Sequence, residues 1–198
     1  DDMGLGKTVQ TLAWIAWLRA RATGPAVDGV VPTRILIVCP KSVAPNWKAE
    51  SQRFLPELRL GVWGGQPETE FVEVLGRVDA LVVNYAQMRG LEESLGRQEW
   101  LAVILDEAQA IKNPDSQTAK VARSLKARYR VALTGTPIEN RLLDLWSIFA
   151  FAMPGVLGIR AKFQRHFAKM GDALARQRLA TRVRPFLLRR TKGQVAQD

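Results

Sequence analysis

Short apolar runs alternate with amphipathic stretches along this chain. "RILIVCP", "ALVVNY", "WLAVILDE" and "YRVALTGT" are rich in β-branched residues or leucine, and each stops at a polar or turn-forming residue. "RLGVW" is a weaker fifth run. Nearly continuous apolar runs suit strands buried on both faces, as in a parallel sheet. Between them the spacing predicts helices. One runs over Thr8–Ala22 with Val9, Leu12, Ala13 and Ala16 on its inner face. A second is capped by Ser42 and ends near Phe54, and a third covers Gln117–Ala127. Strands alternating with helices imply a doubly wound α/β sheet.

The pattern changes after about residue 140. Strand-like runs stop, and helical stretches carrying basic residues take over: "LLDLWSIFAFAM", "AKFQRHFAKM" and "DALARQRLATRVR". Pro154 with Gly155, and then Gly171, separate them. The expectation is an α/β unit over residues 1–140 with a basic helical appendage over 141–198. Repeats and low-complexity tracts are absent.

Composition sharpens this picture in two ways. The chain has 198 residues, 47% of them hydrophobic, enough for one domain with a core. No stretch reaches the about 18 apolar residues of a membrane span. "WSIFAFAMPGVLG" comes closest and is interrupted by Ser147 and Pro154. A lone cysteine, Cys39, and a lone histidine, His166, exclude an internal disulfide and argue against Cys- or His-built metal sites. A cytosolic setting fits this composition. His166 reads as a surface or helix-packing residue.

Charge is unevenly placed. Residues 1–118 hold 12 basic and 15 acidic residues, a balance of −3, whereas residues 119–198 hold 17 basic and 4 acidic, a balance of +13. Solubility does not require such asymmetry, and a basic half points to a polyanion such as nucleic acid. Solvated helix faces are the plainer alternative.

The chemistry gathers at strand ends. In open parallel sheets, ligands bind beyond the carboxyl ends of the strands. There the runs deliver Lys41 and Ser42, Asn84 and Tyr85, Asp106 and Glu107, and Thr134, Gly135 and Thr136. The opening "DDMGLGKT" resembles a phosphate loop, although the glycine expected five positions before Gly6 is replaced by Asp1. Gly4 and Gly6 let backbone N–H groups converge on an anion at a helix N-terminus. Lys7 offers a charge to the β- and γ-phosphates, and Thr8 a hydroxyl to Mg²⁺. Such a loop needs an aspartate at the end of another strand. Asp106 fills that place, with Glu107 as base or positioner of the attacking water. Taken singly, "GLGKT" is also a glycine turn before a helix, and "DE" also a helix N-terminus.

Together, "DDMGLGKTVQTLAW", "ILIVCPKSVAPNW", "VVNYAQM", "ILDEAQAIKN", "ALTGTPIENRLLDLWSI" and "RPFLLRRTK" closely resemble the Swi/Snf-type ATPases of helicase superfamily two, in that family's order and with a bacterial cast. In that superfamily the loop reads Ala-x-x-Gly-x-Gly-Lys-Thr, so its first glycine is Gly4 and Asp1 is no violation. The resemblance implies the first RecA-like lobe of a P-loop NTPase, followed by a helical protrusion. Asp2, Met3, Gly4, Leu5, Gly6, Lys7 and Thr8 would bind ATP, and Thr8 and Asp106 the Mg²⁺. Asp106, Glu107, Ala108 and Gln109 would form a DEAQ box, where the family often has histidine in the last place. Thr134, Gly135 and Thr136 would couple nucleotide state to DNA, and Lys41, Ser42 and Asn84 would touch the DNA backbone. It further implies a first strand and an adenine-reading glutamine motif before Asp1, and a second RecA-like lobe with an arginine finger after Asp198. Arg189 and Arg190 would either brace that lobe or meet DNA.

The activity so implied is ATP-dependent movement along double-stranded DNA that remodels bound proteins, with protein cargo unknown and no membrane partner. An RNA or single-strand helicase shares the nucleotide motifs and stays open. So does a nucleotide-binding switch or scaffold without turnover, against which intact Lys7, Asp106 and Glu107 count. Trp14, Trp17, Trp63, Trp100 and Trp146 read as packing residues. Trp47, just after the Lys41 motif, reads as core, with a place near DNA as the alternative.

Overall fold

The computed structural model describes residues 6–22, 33–135, 142–168 and 172–188. Five strands form one parallel sheet: β1 (Ile35–Cys39), β2 (Leu60–Val62), β3 (Ala80–Asn84), β4 (Glu99–Leu105) and β5 (Lys126–Ala132). Their order is β2-β3-β1-β4-β5. The four strong apolar runs and the weak one all became strands. β1 shows why: its five residues are fully buried and divide between two cores. Leu36 and Val38 join Leu81, Val83, Val103 and Leu105 on one face. Ile35, Ile37 and Cys39 join Ala80, Val82, Ala102 and Ile104 on the other. Successive side chains on a strand point to opposite faces, so a continuous apolar run feeds both layers.

Helices α1 (Lys7–Ala22) and α2 (Ala44–Phe54) cover the second face through Leu12, Ile15, Leu18, Ala44 and Trp47. The first face carries α3 (Phe71–Arg77), α4 (Tyr85–Gly90), α5 (Glu92–Gly96), α6 (Gln117–Ser124) and α7 (Leu142–Ala152). Helix α7 faces two ways. Ile148 and Phe151 pack on the sheet, while Phe149 joins Leu157, Phe163, Leu179 and Val183 in a separate cluster with α8 (Arg160–Ala168) and α9 (Asp172–Val183). The buried Ser147 hydroxyl donates to the Ile111 carbonyl at 2.6 Å and ties α7 to the lobe.

Several local expectations are corrected. The seam of α1 is Thr11, Leu12, Ile15 and Leu18, and Ala13 is exposed. Apolar residues surround this helix, so periodicity alone found Leu12 and Ala16, which lie against the second core, but took in Ala13 and missed Ile15 and Leu18. Ser42 does not cap α2. It is exposed in a turn closed by the Val43 N–H donating to the Pro40 carbonyl, and Val43 is the N-cap without a side-chain bond. Helix α6 stops at Ser124, and β5 begins at Lys126. Lys126–Tyr129 lie on the outermost strand, largely exposed, so this part of β5 lacks the apolar run that marks a strand buried on both sides. Trp17 is half exposed, with the Arg21 guanidinium 4.4 Å above its ring. Trp63 and Trp100 are buried, as expected of packing residues, and Trp14 stacks edge-on against Tyr129, joining α1 to β5. His166 falls on α8, and its side chain lies outside the described residues.

Candidate active site

The chain leaves β1 toward β2 on one side of the sheet, and later crosses from β3 to β4 on the other. That reversal makes the carboxyl ends of β1 and β4 the natural ligand crevice. Asp106 emerges there, its N–H donating to the Val38 carbonyl at 2.7 Å. The residue is only 5% exposed, and burial raises its pKa above the ordinary carboxylate value. Hydrogen bonds and Lys7 act in the opposite direction. Both carboxylate oxygens are held: Oδ1 accepts from the Glu107 N–H at 3.0 Å, and Oδ2 from the Trp47 indole Nε1–H at 2.9 Å. The Tyr85 hydroxyl, at the end of β3, donates to the Asp106 carbonyl at 2.8 Å. Burial pushes the Tyr85 phenol up, so it stays a neutral donor. The neighbouring Cys39 thiol is pushed up to about 12 by burial and then by Asp106, which keeps it unreactive.

Glu107 has φ 53° and ψ 53°, a left-handed conformation for a non-glycine residue. Such strain costs about 1–3 kcal/mol and persists where surroundings enforce it. The enforcing contacts follow at once. The Ala108 N–H donates to the Leu133 carbonyl at 2.8 Å, and Ala108–Ile111 form a 3-10 turn with Ala108 and Ile111 buried. Gln109 then reaches back. Its Nε2 donates to Glu107 Oε2 at 2.7 Å, while its Oε1 accepts from the Thr134 hydroxyl at 2.8 Å. A carboxylate only accepts, so the amide nitrogen must face Glu107 and the amide oxygen must face Thr134. The result is a relay Glu107–Gln109–Thr134 joining the ends of β4 and β5.

Lys7 and Thr8 open α1, both partly buried, with the Thr11 hydroxyl donating to the Lys7 carbonyl at 2.7 Å. Gly6 has φ 72°, a conformation glycine adopts at little cost. Asp2, Met3, Gly4, Leu5 and Thr136 lie outside the described residues, as do Arg189 and Arg190. Gly135 is partly buried just past Thr134. Lys41 and Ser42 stand exposed at the end of β1. Asn84 ends β3 and forms a capping box: its Oδ1 accepts from the Gln87 N–H at 2.9 Å, and Gln87 Oε1 accepts from the Asn84 N–H. The structure thus gathers Lys7, Asp106, Glu107, Gln109 and Thr134, with Lys41, Ser42 and Asn84 at other strand ends of the same edge.

The residues suit magnesium. A buried carboxylate whose two oxygens each keep a lone pair, beside a helix start bearing a hydroxyl, offers hard oxygen donors. Among the described residues no group of three or more His, Cys, Asp or Glu side chains could cage a metal. A magnesium ion held by one carboxylate, a hydroxyl, water and phosphates fits that limit.

Sequence comparison decides the family. The SNF2-related domain matches residues 1–198. The chain belongs to this family. It is 37% identical over 202 residues to an uncharacterized ATP-dependent helicase of Mycoplasma pneumoniae, across all of this chain and 19% of that protein. It is 37% identical over 221 residues to the TATA-binding protein-associated factor MOT1 of Saccharomyces cerevisiae, across 100% of this chain and 12% of that one. The SWI2/SNF2 ATPase core of Sulfolobus solfataricus, solved in complex with dsDNA, superimposes with a TM-score of 0.85 at 39% identity, over 99% of this chain and 40% of that one. The SNF2-family chain therefore spans 19% and 12% of the two curated relatives and 40% of the solved core, and its α/β fold matches that part of the RecA-like ATPase core. No helix among the described residues is long and apolar enough to cross a membrane.

One contact of this SNF2-family site escaped sequence reasoning. Trp47 meets Asp106 across 59 positions, a contact set by how α2 lies on the sheet. Tyr85 was visible at a strand end, and that position was the signal for it.

Proposed function

We propose that the chain is the N-terminal ATP-binding lobe of a DNA-dependent ATPase that moves along double-stranded DNA and remodels protein–DNA complexes. The observation that carries this is the relay from Glu107 through Gln109 to Thr134, which ties the hydrolytic carboxylate to the neighbouring strand end. Lys7 meets the β- and γ-phosphates. Thr8 and Asp106 hold Mg²⁺, which when bound neutralises phosphate charge. Glu107 orients the attacking water and draws on its proton. Gln109 holds Glu107 in place and reports to Thr134, Gly135 and Thr136.

Lys41 and Ser42, exposed on the same edge, meet the DNA backbone. Asn84 has committed its oxygen to Gln87, so its Nδ2 is the group that donates to a phosphate. The +13 balance of residues 119–198 supplies further positive charge. A 39% identical ATPase core solved with dsDNA supports the duplex as partner. A second RecA-like lobe of the full-length protein supplies the arginine finger that this lobe needs, a contribution of about 10³–10⁵ in phosphoryl transfer. Residues 1–140 act as the lobe, and 141–198 as the basic protrusion leading toward its partner.

The test is ATP hydrolysis by the full-length protein with duplex DNA, single-stranded DNA and RNA. Duplex DNA is expected to stimulate most. Stimulation by RNA or single strands alone would make it a helicase lobe of the other kind, and ATP binding without turnover would make it a switch.

A further inference from the structure

We infer that Trp47 is a positioning residue for the metal-binding carboxylate, and that its indole N–H sets the affinity of the site for magnesium. The inference rests on Asp106 as the magnesium ligand. Trp47 is fully buried in α2, in the same core as Ile37, Cys39 and Ile104. Packing alone would ask only for a large apolar side chain there. A buried indole does need an acceptor, but a neutral one suffices: the buried Trp100 donates to the Leu95 carbonyl at 3.1 Å. Trp47 instead spends its donor on the charged Oδ2 of Asp106, at 2.9 Å.

That choice has a geometric effect. The Glu107 N–H grips Oδ1 at 3.0 Å. One donor on each oxygen stops the carboxylate from turning about its Cβ–Cγ bond, and one lone pair per oxygen stays open for the metal. Without the indole, only the donor from the adjacent residue remains. Groups that orient metal ligands in this way typically contribute about 10–100-fold in metal affinity. Trp47 also sits one turn into the helix that follows Lys41 and Ser42, so the carboxylate is braced by the element on which the proposed DNA-contacting turn is mounted.

The experiment replaces Trp47 in the full-length protein with benzothienylalanine, which keeps the two-ring shape and exchanges N–H for sulfur. Trp47→Phe provides a second donor-free variant, and Asp106→Asn the reference. Mn²⁺ binding in the presence of a non-hydrolysable ATP analogue is measured by electron paramagnetic resonance, alongside thermal unfolding and the Mg²⁺ dependence of turnover. Mn²⁺ affinity is expected to fall about 10–100-fold in the isostere, with a lower melting temperature that still leaves the protein folded at the assay temperature, an unchanged KM for ATP at saturating Mg²⁺, and kcat restored by excess Mg²⁺. Wild-type Mn²⁺ affinity in the isostere, while Asp106→Asn loses binding, overturns the inference and leaves the magnesium assignment standing. Loss of affinity only in step with loss of the fold reduces Trp47 to packing and also overturns it. Unchanged Mn²⁺ binding in Asp106→Asn removes the magnesium assignment itself, and the inference with it.

Discussion

The relay can be tested by a double-mutant cycle on Gln109 and Thr134. Thr134→Val keeps the shape of the side chain and removes the hydroxyl that donates to Gln109 Oε1 at 2.8 Å. A neutral hydrogen bond contributes about 1 kcal/mol net, or about 5-fold in rate if the whole effect reaches the transition state. Gln109→Leu removes both bonds, including the charge-assisted one to Glu107 Oε2 at 2.7 Å. Bonds to charged groups contribute about 1.5–3 kcal/mol, so this change is expected to lower kcat roughly 10- to 150-fold. If the Thr134 hydroxyl acts on Glu107 only by steadying Gln109, removing it after Gln109 is gone adds nothing. The double variant should then match Gln109→Leu, with a coupling energy of about 1 kcal/mol. The assay is duplex-stimulated ATP hydrolysis by the full-length protein at saturating ATP and Mg²⁺. Additive effects, within about 0.3–0.5 kcal/mol, would refute a relay and leave two unrelated contacts.

Lys7→Ala and Glu107→Gln should each lower turnover by about 10²–10³, and Glu107→Gln should keep nucleotide affinity in a direct binding assay; near-normal hydrolysis in either would remove the assigned role. Duplex affinity should fall linearly on a log–log salt plot with a slope of about −0.9 per phosphate contacted, and a titration indifferent to salt would exclude an electrostatic surface. At the opposite end of the sheet, Asp79 accepts from the Arg59 guanidinium at 2.7 and 3.2 Å and from its N–H at 3.1 Å, with Arg19 at 3.1 Å. The Arg59 hydrogen bond holds its carboxyl below the ordinary value. A carboxyl lowered on folding contributes stability above its unfolded pKa, and that stability is lost as pH falls through the folded one. Asp79→Asn should therefore lower the melting temperature at neutral pH, and the gap from wild type should close under acid; a gap independent of pH would refute this.

The sheet was legible because burial on both faces leaves an unbroken apolar run, and even "RLGVW" kept enough of one to become β2. Elements exposed on one side were harder to read. The lysine and arginines of "KARYR" look like a helix end until β4 is known to lie beside them. The three short helices between Phe71 and Gly96 were not foreseen, because one or two turns carry too few apolar residues to set a period. The strand-end rule places Asp106, Glu107 and Thr134 on one edge from the sequence alone. It could not supply the contacts between them. Trp47 to Asp106 depends on the rotation of α2, and Gln109 to Glu107 on a left-handed backbone that a glutamate does not announce.

Gln109 has one more consequence. An imidazole in its place would gain a proton near neutrality and become a donor at both ring nitrogens, so it could no longer accept from the Thr134 hydroxyl. A carboxamide donates from one end and accepts at the other whatever the acidity. The bridge between the two strand ends thus keeps one fixed polarity, Thr134 giving to Gln109 and Gln109 giving to Glu107. Acidifying the surroundings leaves the carboxamide itself unchanged, so a response to acid must enter through some residue other than the one in the middle.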